Sequence, residues 1–252
     1  MAEVNFLEYL ATDEQNLLTS IINFRSEFDA FYKLDNLYQE PMRYIKINKE
    51  NAEDEAIIPC LFKFVHFHLY FSVSCLFRGH FSECLASTRS AIDASLTAYQ
   101  IILYPDTQVH YKNRAKPFLA IKTHIRKERK KDDSKYPNAK NLLDMHETCS
   151  EYGSHADIST FIHRVDVGNP RGSNKPCITF YYHQLPKDKD EYAALIIDTL
   201  LAFCNMLQTF RDFLIPKIEG ASPDWPQTLN ALGMQLYEKK NSLYSNIKRN
   251  NP

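Results

Sequence analysis

The sequence predicts an all-α protein, a bundle of about six helices with one inserted β-hairpin. Three observations carry that prediction. Only 6 of 252 residues are Gly, few for a many-turned β architecture but enough for long helices with few connections. Apolar residues recur at spacings of three, four and seven in at least four separate segments. One stretch, Phe161 to Leu185, departs from that period, with β-rich runs on either side of a loop holding Gly168 and Gly172. The chain is 44% hydrophobic and 13% aromatic, and at this length a core can form without covalent staples.

Thr12 with Gln15 has the spacing of a capping box and opens the first helix. Leu17, Ile21, Phe24, Phe28, Phe31 and Tyr38 continue its apolar stripe, and Pro41 ends it. Residues 42–54 are polar and acidic and read as a connection. A second helix runs from about Ala56 to Gly79, and a third from about His80 to Tyr104. The short turn at Gly79 makes these two an antiparallel hairpin. The third helix carries Cys84, Leu85, Ile92 and Leu96 on one face and is rich in Ala and Ser, which allows neighbours to approach closely. A weaker helix spans Pro117 to about Lys131, and another Pro137 to about Gly153. After the hairpin, Asp188 with Glu191 caps a long helix reaching Pro216, and Ser222-Pro223 starts a last helix that fades into a polar tail. The organisation is an N-terminal helix with its acidic connection (1–54), a core bundle (55–216) and a C-terminal helix with its tail (217–252).

The formal net charge of -1 hides an asymmetry. Residues 1–60 hold 12 acidic and 5 basic side chains, leaving 19 acidic and 25 basic in the rest. That split suits head-to-tail contacts or steering of a polyanion toward one end, but falls short of the strongly basic balance of dedicated nucleic-acid binders. The six cysteines lack Cys-x-x-Cys spacing, and four lie in apolar helical stretches, as buried free thiols do in a reducing compartment. The N-terminus lacks the basic start and apolar stretch of a secretory signal, so the expected location is cytoplasmic. Ala56 to Phe77 is close to the length of a membrane span, but Lys63, His66 and His68 interrupt it. A central buried helix accounts for it without placing charge in lipid, and no membrane partner is expected.

Two polar clusters stand out. Arg89 and Asp93 lie four apart on the small-residue helix and so point the same way. Either they form a structural ion pair, or Arg89 is a guanidinium kept for function. Glu151 and His155 fall in the densest polar run of the chain, around Gly153. His155 at a helix end suits acid–base chemistry, and equally suits a histidine that caps the loop. The run Lys122, Arg126, Lys127, Arg129, Lys130 and Lys131 offers charge to phosphates, with a solvated helix end as its plainer explanation. No metal site or cofactor is expected. His66 and His68 point to different faces, and His80 with Glu83 lacks a matching partner motif. Phosphate-cradling Gly loops, nucleophile elbows and His-Glu-x-x-His are all missing from the sequence.

A small-residue helix bearing Arg89-Ser-x-x-Asp93, followed by Glu151-Tyr-Gly-Ser-His155, resembles the HEPN-like helical domains of bacterial defence and toxin systems, in their divergent branch, over roughly residues 60–215. The resemblance implies a bundle that binds or cleaves RNA without metal. The usual spacing of Arg, four to six residues and His is absent, the nearest approach being Arg78-Gly-His80. An active Arg/His pair must therefore be assembled across helices, with Arg89 stabilising a phosphoryl oxygen, Asp93 holding the guanidinium, and His155 moving a proton with Glu151 close by. The alternative is a non-catalytic helical module that forms a homodimer or recruits a protein partner.

Overall fold

The computed structural model describes residues 5–47, 49–112, 117–153, 165–168, 177–183 and 188–250. The all-α architecture holds, with more helices than the sequence suggested: nine of eight residues or more among the described residues. In chain order these are α1 (Phe6–Asn23), α2 (Arg25–Met42), the short α3 (Ala52–Glu55), α4 (Ile57–Arg78), α5 (Phe81–Leu103), the short α6 (Gln108–Lys112), α7 (Pro117–Lys131), α8 (Ala139–Gly153), α9 (Lys189–Thr209), α10 (Arg211–Ile218) and α11 (Trp225–Asn250). Where a β-hairpin was expected there are two strands of four residues, β1 (Val165–Gly168) and β2 (Cys177–Phe180). They pair antiparallel, Val165 opposite Phe180 and Gly168 opposite Cys177. The connection between them lies outside the described residues.

The extra helices come from breaks that periodicity does not reveal. The expected first helix is two helices, because Phe24 leaves helical geometry at φ -117° and ψ 43°. Its ring is buried edge-on against Tyr192, with centroids 4.7 Å apart. The start is also earlier than Thr12. Asn5 is the cap: its Oδ1 accepts from the Glu8 amide at 3.0 Å, and the Glu8 carboxylate accepts from the Asn5 amide at 3.3 Å. The Thr12 hydroxyl instead donates back to the Glu8 carbonyl within the helix. Pro41 lies in the last turn of α2 and Pro216 inside α10. The C-terminal segment stays helical to Asn250, with Leu229, Leu232 and Leu236 buried.

The α4–α5 hairpin is the centre of the molecule. Gly79 takes φ 84°, a left-handed conformation that costs glycine nothing. The Gly79 and His80 amides then donate to the carbonyls of Leu76 and Cys75, closing the last turn of α4. Every residue of α5 from Ala94 to Ile101 is buried. A helix covered on all sides needs small side chains, and Ala91, Ala94, Ser95 and Ala98 supply them. Its hydroxyls find partners on the neighbours: Thr88 donates to Ser72 at 3.2 Å, and Ser95 lies 2.9 Å from Thr209. Ile92 is fully buried, whereas Leu85, expected on the same core face, is only half-buried.

Three aromatic side chains clasp the surrounding helices by donating to backbone carbonyls. Tyr38 of α2 bonds Phe203 O of α9 at 2.7 Å, Tyr192 of α9 bonds Leu76 O of α4 at 2.6 Å, and Trp225 of α11 bonds Leu37 O of α2 at 2.9 Å. Each buries a large apolar body while satisfying its polar atom. Two helical stretches, residues 52–78 and α9, are long and apolar enough to cross a membrane by length and composition, and 72% of the most apolar window of α9 is buried inside the fold. α4 behaves differently. Cys60, Phe64, Phe67 and Phe71 form an exposed stripe along it.

α11 is also held by charge. The Glu27 carboxylate is buried, and the Lys239 ammonium meets it at 2.7 Å while the Ser26 hydroxyl donates to it at 2.8 Å. Burial pushes the Glu27 carboxyl up, but those two hydrogen bonds, with a backbone hydrogen bond and the Lys239 charge, outweigh it and leave the group below its ordinary value. A depressed folded value means the contribution is complete above the unfolded value near 4.5 and fades as pH falls through the folded one. Glu27→Gln is expected to lower stability at neutral pH and to flatten the loss of stability below about pH 4.5, measured by urea unfolding across pH. Lys239→Met strands the carboxylate and is expected to cost about 3 kcal/mol. Ile92→Ala is expected to cost about 2–5 kcal/mol in the same assay, and Leu85→Ala clearly less.

Candidate active site

One position interrupts the sealed part of α5. Between Ala91 and Ile101, Asp93 alone is not buried. Its side chain, 28% exposed, faces a cleft of roughly 590 Å³ between α5 and the α3–α4 region, with Ile57, Leu61 and Phe64 as an apolar wall and Ser90 and Thr97 beside it. Small neighbours on α5 leave this opening, since Ala94 and Ser90 do not fill the space over the carboxylate.

On the other side of Asp93 stands α8. Tyr136 sets where that helix begins. It takes φ 54°, an unusual conformation for a bulky residue, and its buried hydroxyl donates to Gln100 Oε1 at 2.6 Å. Its ring packs edge-on against Tyr99. Thus anchored on α5, α8 turns Leu142, Leu143, His146 and Cys149 inward. His146 Nε2 comes to 2.9 Å from Asp93 Oδ1, an ion-pair contact rather than an aligned hydrogen bond. Lys122 of α7 reaches the same Nε2 at 3.4 Å, and His146 Nδ1 lies 3.4 Å from the Ser150 hydroxyl. The ring nitrogen is thus flanked by a carboxylate and an ammonium. With a proton it faces Asp93, and without one it accepts from Lys122.

Arg89 completes the cluster one turn before Asp93. Its Nε is buried and makes no hydrogen bond among the described residues. Burial pushes the Lys122 ammonium below its ordinary value; Asp93 pulls it back up, and the Arg126 and Arg89 guanidinium groups add to the fall. Beneath the cluster, burial drives the Cys149 thiol up to about 12, with Arg89 lowering it and Asp93 raising it. Three cations, one histidine and a cleft-facing carboxylate thus share one region of the bundle. An anion with a dissociable proton nearby suits that arrangement.

The sequence-predicted site residues fare unevenly. Arg89 and Asp93 share the region as expected, but Asp93 makes its short contact with His146, and no ion pair joins it to Arg89 among the described residues. Glu151 is exposed in the last turn of α8, and no hydrogen bond or ion pair joins it to Arg89 or Asp93 among the described residues; His155 lies outside the described residues. Of the basic run, Lys122 enters the cluster. Arg126 is held by Glu147 at 2.5 Å, Arg129 by Asp133 at 3.3 Å and Lys131 by Glu128 at 2.6 Å, while Lys127 and Lys130 are exposed. A shallow cleft over Arg126, Arg129 and Lys130 is also lined by Asp133, Asp144 and Glu147, so its charge is mixed. His146 is the residue that sequence reasoning missed. Its signal was present: a histidine in step with Leu142, Leu143 and Cys149 on the apolar face of a helix.

Comparison with family models, curated proteins and solved structures finds no match to the chain.

The thiols report on this packing. Burial raises Cys84, Cys149 and Cys204 to about 12 each and Cys75 to about 11, while Cys60 is exposed. Thiolate, the reactive form, is scarce at neutral pH for the first four. Brief iodoacetamide treatment of the native protein is expected to alkylate Cys60 and to spare Cys75, Cys84, Cys149 and Cys204, with all five modified after unfolding, as mapped by peptide mass spectrometry.

Proposed function

We propose that the Arg89–Asp93–Lys122–His146 cluster binds a phosphodiester of RNA and cleaves it without metal. One observation carries this reading. The carboxylate open to the cleft, Asp93, is backed at 2.9 Å by a buried histidine, beside an arginine whose Nε has no hydrogen-bond partner among the described residues. Arg89 and Lys122 supply positive charge for a phosphoryl group. The apolar wall with Phe64 offers a surface on which a base can stack. Asp93 takes the 2′-hydroxyl proton as that oxygen attacks phosphorus, and His146 stabilises Asp93 in both protonation states. The P–O5′ bond breaks, and the leaving oxygen takes a proton from Lys122, whose depressed value eases its release. The products are a 2′,3′-cyclic phosphate and a 5′-hydroxyl. The proton transfers that the HEPN-like resemblance gave to His155 fall here to Asp93 and Lys122, with His146 backing Asp93.

Cleavage of single-stranded RNA in EDTA tests the proposal. Asp93→Asn and His146→Ala are expected to slow it by about 10²–10⁴-fold, and Arg89→Ala to weaken RNA binding as well, with all three folded by circular dichroism. Equal rates in wild type and variants would remove the cluster from consideration.

The stripe of Cys60, Phe64, Phe67 and Phe71 favours a second reading, an interaction module. Phe67 and Phe71 stack at 6.3 Å on the exposed side of α4, an arrangement that burial against a second copy would stabilise. Such a role would show as self-association in sedimentation, lost in Phe67→Glu.

A further inference from the structure

A second convergence of side chains lies away from this cluster, around the N-terminus of α5. Asp13 comes from α1, His80 caps α5, and His183 follows β2. His80 Nε2 is 2.6 Å and His183 Nε2 is 3.0 Å from the same oxygen, Asp13 Oδ1. The three candidate donor atoms all lie within 4.8 Å of one another. The side chains are 16%, 12% and 13% exposed, so the group is enclosed but not sealed. The two imidazole rings are 5.1 Å apart, Tyr9 stacks on His183, and the Tyr9 hydroxyl lies 3.3 Å from His80 Nε2.

We propose that Asp13, His80 and His183 form a binding site for a divalent transition-metal ion of the zinc type. Two imidazole nitrogens and one carboxylate oxygen are the donor set such ions prefer. Both rings present Nε2 to a single point, and a carboxylate oxygen satisfied by one imidazole gains less from a second. An ion at that point satisfies all three. Ligands about 2.1 Å from a tetrahedral ion stand roughly 3.4 Å apart. The present spacings of 2.6 and 3.0 Å therefore need only open by less than an ångström, which side-chain rotation supplies. The other Asp13 oxygen, Oδ2, is 3.5 Å from Arg78 Nε, which orients the carboxylate to offer Oδ1 alone. Arg78 also meets Glu14 at 3.3 Å, so its charge is shared with a second acid and opposes the ion less. The fourth position falls to water or to the Tyr9 hydroxyl.

The three donors belong to segments 67 and 170 residues apart in contact. An ion would tie α1 and the end of β2 to the α4–α5 turn, a structural brace independent of the cleft at Asp93.

The test is Zn²⁺ titration of the tag-free full chain by calorimetry. Saturable binding of one ion per chain is expected, weakened by Asp13→Asn, His80→Ala and His183→Ala by at least the roughly 100-fold that loss of even an outer-shell partner can cost. His124→Ala and His146→Ala are expected to bind as wild type does, which separates this site from the proposed nuclease cluster. Zn²⁺ should also slow proteolysis within α1. In case a variant fails to fold, Co²⁺ added to wild type gives a readout without substitution: intense visible absorption of a four- or five-coordinate ion. Absence of saturable binding, binding that survives His80→Ala and His183→Ala, or the weak spectrum of the hexaaqua ion would each overturn the proposal.

Discussion

The close approach that α5 permits is the constraint on which the structure depends. A helix buried along eight consecutive residues has no face left for charge, and its Ala and Ser residues let α4, α8 and α9 come near enough to exclude water. Close packing of this kind makes each remaining polar atom expensive unless it is paired. The hydroxyls of Thr88, Ser95 and Thr199 and the amide of Gln100 all have partners. Asp93 is tolerated because the small residues around it also leave a cleft. The same feature that builds the core therefore builds the opening.

The rest of the bundle follows from covering that hairpin. α9 lies against it through the Tyr192 bond to Leu76, α2 through Tyr38 stacked on Phe62, and α11 closes the outside through Trp225 on α2. A smaller buried network joins α2 to α4. His66 Nε2 is 2.7 Å from Asp35, Tyr70 donates to the same carboxylate oxygen at 2.6 Å, and Gln39 donates to the other oxygen at 2.8 Å. Burial lowers the His66 value even with Asp35 opposing it, so the ring resists protonation while both Asp35 oxygens accept hydrogen bonds. It is a fastening between helices, shielded by the stacked ring of Tyr38.

Local signals in the sequence located much of this. Gly79 ends α4 as glycine ends helices, Asp188 caps α9 by accepting from the Asp190 and Glu191 amides, and the Ala- and Ser-rich run marks the central helix. The signals failed where two local readings competed. Thr12 with Gln15 and Asn5 with Glu8 both have cap spacing, and the chain uses the earlier pair. The break at Phe24 reflects a ring drawn into the core against Tyr192, a contact across 168 residues of sequence that no window of periodicity contains. The site was half legible. Arg89 and Asp93 share a helix face, so spacing finds them, but His146 meets Asp93 from another helix, and its place depends on how Tyr136 docks. Asp13, His80 and His183 come from three elements with no common motif, which is why spacing rules for metal ligands pass over them.

The docking of Tyr136 has a kinetic side. α8 is fastened to α5 at two heights, by Tyr136 on Gln100 and by His146 beside Asp93, and a rod pinned twice does not swing. A ligand that takes Asp93 away from His146 thus displaces a side chain and leaves the helices in place. Side-chain rotation runs on the picosecond-to-nanosecond scale, against the microseconds or longer of helix rearrangement. Parting Asp93 from His146 is then a side-chain event on the faster of those two scales.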